Sequence, residues 1–582
     1  MLTLFLSLIL SLTPEAEFFE TDIVLSKIYI APEIFDNLLK NPLAINSADY
    51  DDLSLIPYLT PKIVKAILNY RQEHGKFKNL NELLSIEGID QELLDKVRQF
   101  LTINPNPVKP KMEMKFRVMN DSLANNYDFK DWALFNRLKI DYGNWGLVLI
   151  TDKDAQELSL FDFIGTSIAY ADKRQQLIIG NYLLDFGKGL ILAKPFYQLR
   201  PAKALADFKT KEIMPLTSPV ENNSLFGFAC QKTFGNLRLI GFFSTNWLDA
   251  EIDTNGIVKR LIYDGKHIDS ATKASQDRLR EDLFGARWEY RILGLRLGST
   301  CYHNHYSYRF VPSDSTNSFF GNQITLYGID WSLLINNYYG YGELGYCLGK
   351  GFGFALGILG DWKQFKVQWQ LTSTQKNFYS PHSQNFSLTN KKDNLSGKLN
   401  LYYNFFRFKT FLEGTTKTDF VLDSLPAKIE AGFSRSEGKL DIALSYKRAF
   451  KDDVSKSQGT RLDLAYPLSK QFALGLRIED HHVLQKLGRG ILLRFGTNLS
   501  FGGLGYTAQF YWFSVTTAEA RIFAYEPGFG SLGNNQSLLG KGIRYFSFLS
   551  YKRRPFRAGL KFGITKTDRL NFDAASQIEI NL

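Results

Sequence analysis

The chain has 582 residues, of which 14% are aromatic, with 47 Phe and 29 Tyr. It lacks the run of about 18 or more apolar residues that a transmembrane helix needs, which excludes a helical membrane bundle. Three widely spaced cysteines exclude a disulfide framework and fit no zinc-ligand spacing. The net charge of +11 is uneven: residues 1–103 contain nine Lys and Arg against 15 Asp and Glu, and the remainder contains 61 against 44.

Residues 1–16 predict a signal peptide. Residues 1–12 form an apolar core that is too short to cross a bilayer, and small or polar residues follow it, so we expect cleavage near Ala16. The first basic side chain is Lys27, which reduces the usual positive N-terminal region to the α-amino group. The alternative is an amphipathic or buried first helix.

Residues 21–103 predict a small helical domain. Apolar residues recur at the i, i+4, i+7 spacing of a helix, as in Ile63, Ile67 and Tyr70. Asn81 and Asp90 stand where they would cap the later helices. Residues 104–111 then contain three prolines and predict a stiff, extended linker.

From residue 112 the apolar period changes from helical to two. Leu399, Leu401, Tyr403 and Phe405 alternate with polar neighbours, and further segments of the same kind reach the last residue, Leu582. About 24 to 27 such segments are separated by turn signals, and an even number near 24 or 26 lies within the range of outer-membrane barrels.

The fold predicted by this pattern is mainly β. Residues 112–582 are expected to form one large closed antiparallel transmembrane β-barrel of about 24–26 strands, preceded by a small all-α domain. In lipid every backbone polar group must be paired, so a membrane-spanning sheet has to close on itself. The expected location is the Gram-negative outer membrane with the N-terminal domain in the periplasm. A large soluble all-β protein is the alternative.

Residues 45–101 resemble the paired helix-hairpin-helix domain of the ComEA-type competence proteins. The resemblance rests on residues that stand at the positions of that family's pattern, among them Asn46, Tyr70, Arg71, Gly75, Phe77 and Gly88. The rest of the chain resembles the barrel of Bacteroidota-type outer-membrane proteins that carry this domain, on stretches such as ALFNRLKIDY and IIGNYLLDFGKGLIL.

The resemblance implies DNA binding, but the residues argue against it. Such hairpins bind phosphate through backbone N–H groups that a Gly-hydrophobic-Gly turn exposes. The first hairpin, around Pro57, has no glycine, and the second has Asp90 in place of one. Residues 42–103 contain seven Lys and Arg against nine Asp and Glu. A folding or protein-docking module is therefore favoured, and the candidates for DNA contact are Lys62, Lys65, Lys76, Lys78 and Gly88.

No residue pattern predicts catalysis, a metal site or a cofactor. The acidic cluster of Asp152, Asp154 and Glu157 is interpreted as an exposed loop or rim. His303 and His305 would share one face of a strand with Cys301, and His481 and His482 would lie on opposite faces, but two histidines do not define a metal site. Glycines at 187 and 189 are interpreted as a bend or bulge in the wall.

The leading hypothesis is a non-enzymatic outer-membrane barrel that acts in transport or docking, with a periplasmic helix-hairpin-helix module. One alternative is a DNA-uptake or DNA-binding component, and another is a plugged barrel that acts as an assembly scaffold. The expected partners are outer-membrane lipid, lipopolysaccharide and a periplasmic protein, and DNA is the less favoured partner. The excess of basic residues would favour anions in a lumen or, as we prefer, lipopolysaccharide phosphates at the rim.

Overall fold

The computed structural model describes most of the chain. The described residues are 38–39, 42–103, 110–120, 128–157, 159–172, 174–193, 212–219, 224–262, 265–292, 294–311, 319–362, 364–383, 394–405, 408–418, 427–437, 439–451, 454–469, 471–484, 487–528 and 534–582. The expected signal peptide, the start of the expected helical domain before residue 38 and most of the proline linker lie outside them. No helix within these ranges is long and apolar enough to cross a membrane.

Within residues 42–103 the helical domain has three α-helices, α1 (Tyr50–Ser54), α2 (Pro61–His74) and α3 (Gln91–Val97), with 3-10 turns at Leu80–Ser85 and Arg98–Phe100. Two short strands, Leu43–Ala44 and Leu101–Thr102, pair in parallel and bring the ends of the domain together. Its buried apolar residues all come from residues 38–101, so the domain has a hydrophobic core of its own.

The helix caps agree with the sequence at one position and differ at another. Asp90 caps α3 as predicted, because its Oδ1 accepts a hydrogen bond from the backbone N–H of Leu93 at 2.8 Å. The prediction for Asn81 was wrong. Asn79 is the capping residue, and it forms a capping box in which the Glu82 side chain accepts from the Asn79 backbone.

Twenty-four antiparallel strands of the described residues form a closed barrel, which confirms the predicted fold class. In chain order the strands are β1 Lys111–Asn120, β2 Ala133–Tyr142, β3 Trp145–Lys153, β4 Phe163–Ala171, β5 Gln175–Leu184, β6 Leu225–Phe234, β7 Leu237–Leu248, β8 Leu279–Ile292, β9 Leu295–Phe310, β10 Gly321–Ile335, β11 Tyr338–Cys347, β12 Gly351–Asp361, β13 Phe365–Thr374, β14 Asn394–Phe405, β15 Phe408–Thr418, β16 Ala427–Glu437, β17 Leu440–Lys451, β18 Val454–Pro467, β19 Phe472–Val483, β20 Gly488–Phe501, β21 Leu504–Val515, β22 Gly540–Arg553, β23 Phe556–Lys566 and β24 Leu570–Asn581.

The first and last strands close the barrel. β1 pairs with β24 from Glu113 opposite Asn581 to Asn120 opposite Ala574. Met112 and Leu582 extend the pairing, because the backbone of each donates a hydrogen bond to the other, at 3.0 and 2.8 Å. The sheet therefore has no free edge at this seam, as a lipid environment requires.

The two faces of the wall differ in chemistry, as the period-two pattern predicts. On β8, β10 and β11 the outward side chains include Trp288, Ile329 and Leu344, which are exposed. Their inward neighbours include Arg287 and Asp330, which are buried. An apolar outer face with charged residues inside is the arrangement of a membrane-spanning barrel.

The two ends of the barrel differ in their connections. At the end where residues 110–111 enter β1, successive strands are joined by only two to four residues, as between Tyr142 and Trp145. The opposite end carries the long connections, which include residues 185–224, 249–278, 375–393 and 516–539.

Four described segments of the long connections fold against the inner face of the wall. They are residues 185–193, 212–216 and 375–383 and the hairpin of Ile522–Glu526 with Asn534–Leu538. The first three share one large apolar cluster with inward side chains of the wall, and the hairpin belongs to a second cluster. We call these four segments the plug.

Candidate functional site

The two hairpins of the helical domain have matching backbone conformations. In residues 56–60 and 86–90, the third residue has a positive φ, 70° at Tyr58 and 95° at Gly88, and the fifth residue caps a helix. An L residue adopts this left-handed conformation at a cost of roughly 1–2 kcal/mol, which glycine avoids. The first hairpin thus keeps the turn although its glycine is missing.

The capping residues determine whether the backbone N–H groups of each hairpin are available to an anion. At the second hairpin the Asp90 carboxylate accepts from the first turn of α3, so a negative charge occupies the position where a phosphate would bind. At the first hairpin the cap is the neutral hydroxyl of Thr60, whose Oγ1 lies 3.4 Å from the Ile63 backbone nitrogen. Pro57 and Pro61 supply no N–H there.

The structure separates the candidate lysines into two pairs. Lys62 and Lys65 lie in the first turns of α2, and Lys76 and Lys78 follow its C-terminal end, roughly 20 Å away at 1.5 Å per residue. All four are exposed, but the Lys62 Nζ lies 3.4 Å from the Glu87 carboxylate of the second hairpin. The lysines therefore do not form one basic patch.

Arg71, one of the residues that carries the family resemblance, has a structural role. Its Nη1 donates to the backbone carbonyls of Ile45 and Ala48, each at 2.7 Å. Asn46 acts in the same region, since its side chain bonds the backbone N–H and carbonyl of Phe77. The resemblance thus marks residues that hold the domain together rather than residues that face a ligand.

The plug segment of residues 185–193 is attached to the wall by Glu343 of β11. The Glu343 carboxylate accepts backbone hydrogen bonds from Lys188 at 2.5 Å, Leu190 at 3.1 Å and Ile191 at 3.3 Å. Gly187 has a φ of +55° and lies directly against this carboxylate, where a Cβ would come within 2.9 Å of it. The glycines at 187 and 189 therefore shape an internal loop, not the wall bend expected from the sequence.

Each of the other plug segments is attached to the wall by a buried polar or ionic contact. Glu212 contacts Arg238 at 3.1 Å, and His382 contacts Glu281 at 3.1 Å. Glu526 of the internal hairpin bonds Arg544 of β22, and Lys561 of β23 reaches the same carboxylate at 3.0 Å. Buried charges of this kind are stable only while they remain paired, so every contact favours the plugged arrangement.

A charged network on the wall supports these attachments. Arg287 of β8 forms a bidentate contact with Asp330 of β10, at 2.5 and 3.1 Å, and also bonds Glu289 at 3.0 Å. Its Nε lies 3.3 Å from Glu212 of the plug. One arginine therefore joins two wall strands to one plug segment.

A second cluster lies where the β3–β4 connection meets the β7–β8 connection, at the end with the long connections. His267 bonds Asp162 through Nδ1 and Asp249 through Nε2, the second at 2.9 Å, and its backbone N–H donates to Glu157 at 2.9 Å. Asp152 and Asp154 lie close by and are half-buried, and Glu157 is buried. The interpretation of residues 152–157 as an exposed loop was therefore wrong, although they do lie at the rim.

The charges of this cluster shift its protonation. Burial opposes a charge on His267, but the hydrogen bond with Asp162 and the charge of Asp249 outweigh burial and raise the pKa of His267. Burial raises the pKa of Glu157. Burial and the neighbouring Asp249 raise the pKa of Asp277. Both ring nitrogens of His267 face carboxylates, so the geometry is that of an imidazolium ion pair.

Glu157, Asp162 and His267 each offer one potential ligand atom, and these three atoms lie within 4.8 Å of one another, close enough to hold one metal ion. This is the group of that kind found among the described residues. The other histidines of the sequence analysis lie elsewhere. His303 and His305 face outward on β9, where His303 Nδ1 lies 2.8 Å from Thr325 Oγ1. His482 faces outward beside Asp480 at 2.9 Å, and His481 is on the opposite face of β19.

The closed barrel, with its apolar outer face and charged interior, defines an outer-membrane β-barrel protein. Its N-terminal domain is a helix-hairpin-helix domain, since the family model described as "Helix-hairpin-helix motif" matches residues 40–102. ComE operon protein 1 of Bacillus subtilis (strain 168) is 29% identical over 59 residues, which cover 10% of this chain. The match spans 29% of the length of that relative.

Several solved outer-membrane barrels are similar in fold. The P pilus usher PapC translocation pore is 10% identical with a TM-score of 0.33, over 81% of this chain and 99% of that one. The siderophore receptor PirA of Acinetobacter baumannii is 9% identical with a TM-score of 0.39, over 83% and 82%. The ferric enterobactin receptor PfeA of Pseudomonas aeruginosa is 8% identical with a TM-score of 0.40, over 83% and 81%. We infer nothing about function from these similarities.

Proposed function

We propose that this protein is a non-enzymatic outer-membrane barrel that acts in gated transport, with its helix-hairpin-helix domain on the periplasmic side. The observation that carries the proposal is the plug. Four segments from three connections enter the lumen, and each is attached to the wall by a few polar contacts, with a strand pairing of only three residues at Ile213–Pro215. Such contacts can be exchanged for contacts with a partner or solute.

The orientation follows from the connections between strands. Outer-membrane barrels have short turns on the periplasmic side and longer loops on the outside. The helical domain precedes β1 at the end with the short turns. We therefore place the domain in the periplasm, where its acidic surface is available to a protein partner.

The same orientation supports lipopolysaccharide as a partner. At the end with the long connections, outward residues Arg448, Gln458, His482 and Arg489 stand opposite one another on β17 to β20. Three of these four residues are arginine or histidine, and Asp480 is the acidic residue that contacts two of them. The two arginines at this height, Arg448 and Arg489, would bind phosphates of the outer leaflet.

Conductance of the purified protein in a planar bilayer tests the transport proposal. We expect low conductance for the wild type and a higher, sustained conductance for Glu343→Gln, which weakens the attachment of residues 185–193. Glu430→Gln is the matched control, because Glu430 is also inward but pairs with Lys428 at 3.0 Å on the wall. Equal conductance of all three proteins would favour the scaffold alternative.

A DNA-binding role is the second candidate, and one observation favours it: both hairpins have a residue of positive φ, Tyr58 and Gly88, at the same position of the turn. The neutral cap at Thr60 and exposed Lys62 and Lys65 leave the first hairpin as the better of the two. The Asp90 cap and the excess of acidic residues oppose binding. A DNA titration of the isolated domain separates this candidate from docking to a protein.

A further inference from the structure

Strand β5 separates from β4 before it reaches the rim, although it stays paired with β6 as far as Tyr182 opposite Leu225. It pairs with β4 only from Gln176 opposite Ala171 to Gly180 opposite Ser167. Beyond Gly180, which has a φ of +102°, the strand pairs instead with residues 213–215 of the plug. A Cβ at this position would lie 2.1 Å from the Thr166 carbonyl oxygen, so only glycine fits at the point where β5 turns away from its pairing with β4.

A cavity of about 460 Å³ occupies the gap between the start of β4 and the rim ends of β6 and β7. Its apolar lining comes from Phe163, Phe226 and Trp247, and its polar lining includes Asp249, His267 and Asp277. Phe226 and Trp247 are 47% and 52% exposed and belong to the outward face of the wall. The cavity, which we call the notch, therefore opens on the lipid-facing side.

The polar end of the notch has an excess of negative charge. His267 is engaged by Asp162 and Asp249, so its single positive charge is shared by two carboxylates. Asp277 adds a third carboxylate to the lining, and it has no salt bridge among the described residues. The nearby Lys153 is not part of the lining, and its Nζ donates to the backbone carbonyls of Lys130, Trp132 and Asp154.

We propose that the notch binds an amphipathic molecule with an apolar chain and a cationic head group. The chain would lie along Phe226 and Trp247, and the head group would meet the Asp277 carboxylate beside Asp249. The indole face of Trp247 adds a cation–π contribution at the same end. A divalent cation fits less well, because both ring nitrogens of His267 are already occupied by carboxylates. This inference is independent of the proposed function, since it concerns the outer face of the wall.

The test is isothermal titration of the full-length protein in nanodiscs with decyltrimethylammonium. Decyl maltoside and decyl sulfate serve as uncharged and anionic probes with the same chain. We expect the cationic probe to bind at least about tenfold more tightly than the other two. Equal binding of the three probes, or preference for the sulfate, would overturn the proposal.

Five variants test whether the probe binds in the notch. Asp277→Asn should lower the affinity for decyltrimethylammonium about tenfold or more. Asp277→Glu should keep the wild-type affinity. Glu251→Gln removes a charge from the same connection outside the notch, where Glu251 faces Arg260, and should leave affinity within about twofold. Trp247→Ala should weaken binding, whereas Trp288→Ala, another outward tryptophan, should not.

Calcium alone is the remaining probe. If Ca²⁺ binds with a stoichiometry of one, displaces decyltrimethylammonium and is lost in Asp277→Asn, the notch is a metal site and the proposal is overturned. If Ca²⁺ neither binds nor competes, the amphiphile assignment stands. Heat-modifiable migration in electrophoresis confirms that each variant retains its barrel.

Discussion

The backbone N–H of Lys188 donates a hydrogen bond to the carboxylate of Glu343, 155 residues away in sequence, at 2.5 Å. This contact joins an internal loop to a wall strand, and two further N–H groups converge on the same carboxylate. The Lys188 ammonium meanwhile lies over the ring of Tyr341, 4.3 Å from its centroid. One short segment is thus attached through both its backbone and its side chain.

Replacing Glu343 with Gln should release this loop. The amide replaces one acceptor oxygen with an N–H₂ group that faces backbone donors, and a buried donor left without its partner costs about 1–3 kcal/mol. We expect trypsin to cut after Lys188 in the variant faster than in the wild type. Glu430→Gln should leave the cleavage rate unchanged, and protection of Lys188 in both variants would contradict the anchoring role.

Arg71→Met should destabilise the helical domain. Two carbonyls, of Ile45 and Ala48, would lose their partner, and each lost hydrogen bond to a charged donor costs about 1.5–3 kcal/mol. Urea unfolding of the isolated domain measures the change. Arg98→Met is the control, because Arg98 bonds the exposed Asn81 side chain. A loss below about 0.5 kcal/mol for Arg71→Met would show that the contacts are dispensable.

Residues 21–103 should bind duplex DNA weakly or not at all at physiological salt. The domain is net acidic, and its second hairpin carries the Asp90 carboxylate at the helix start. Any DNA affinity of the whole protein should come from the basic barrel section and fall steeply with salt. Titration of labelled duplex at about 0.15 M salt measures binding. Micromolar affinity that is lost in Lys62→Glu/Lys65→Glu, but not in Lys76→Glu/Lys78→Glu, would show that the first hairpin binds DNA.

The His267 ion pair should stabilise the rim loops at low pH and lose that effect as pH rises. Because the pKa of His267 is raised on folding, its contribution is complete below the unfolded value of about 6.5 and disappears as pH passes the folded pKa. Amide hydrogen exchange of residues 265–278 is measured for the wild type and for His267→Gln over a series of pH values. At the lowest pH of the series, the free energy of local opening should be about 1.5–3 kcal/mol smaller in His267→Gln than in the wild type.

Glu157 and Asp277 also have raised pKa values, but they are present in both proteins of that comparison. Their effect on the difference is therefore small. His305→Gln on the outward face of β9 is the control and should show no change in residues 265–278. A pH-independent difference for His267→Gln would mean that His267 acts without a charge.

Mature protein isolated from membranes should begin after about residue 15, because residues 1–12 have the length and composition of a signal-peptide core. N-terminal sequencing of the outer-membrane fraction measures the start. Recovery of intact Met1 from a cytosolic fraction would contradict both the signal peptide and the expected location.

The sequence predicted those parts of the fold that depend on local periodicity. Alternation at Leu399, Leu401 and Tyr403 identified β14 and its outward face, since side chains two apart share one face of a strand. The cap at Asp90 was predictable for the same reason, because its hydrogen bond spans three residues.

The sites inside and at the rim of the barrel were not predictable in this way. His267 and Asp162 are 105 residues apart, and no spacing rule connects them. Glu157 belongs to an acidic cluster that is visible in the sequence, but the residues that the β7–β8 connection brings to it are not marked by any local pattern. The same holds for Glu343, a single acid in a glycine- and tyrosine-rich strand, whose partners become visible only when residues 185–193 enter the lumen.

The pairing of β1 with β24 has a consequence for biogenesis. Because Met112 bonds Leu582, β1 completes its pairing only with β24, and the ring stays open until β24 has been synthesised and exported. Until then the free edge of β1 can pair with other chains, so the open intermediate is prone to aggregation. Removing the final strand would thus stop maturation at its last step while leaving every other hairpin able to form.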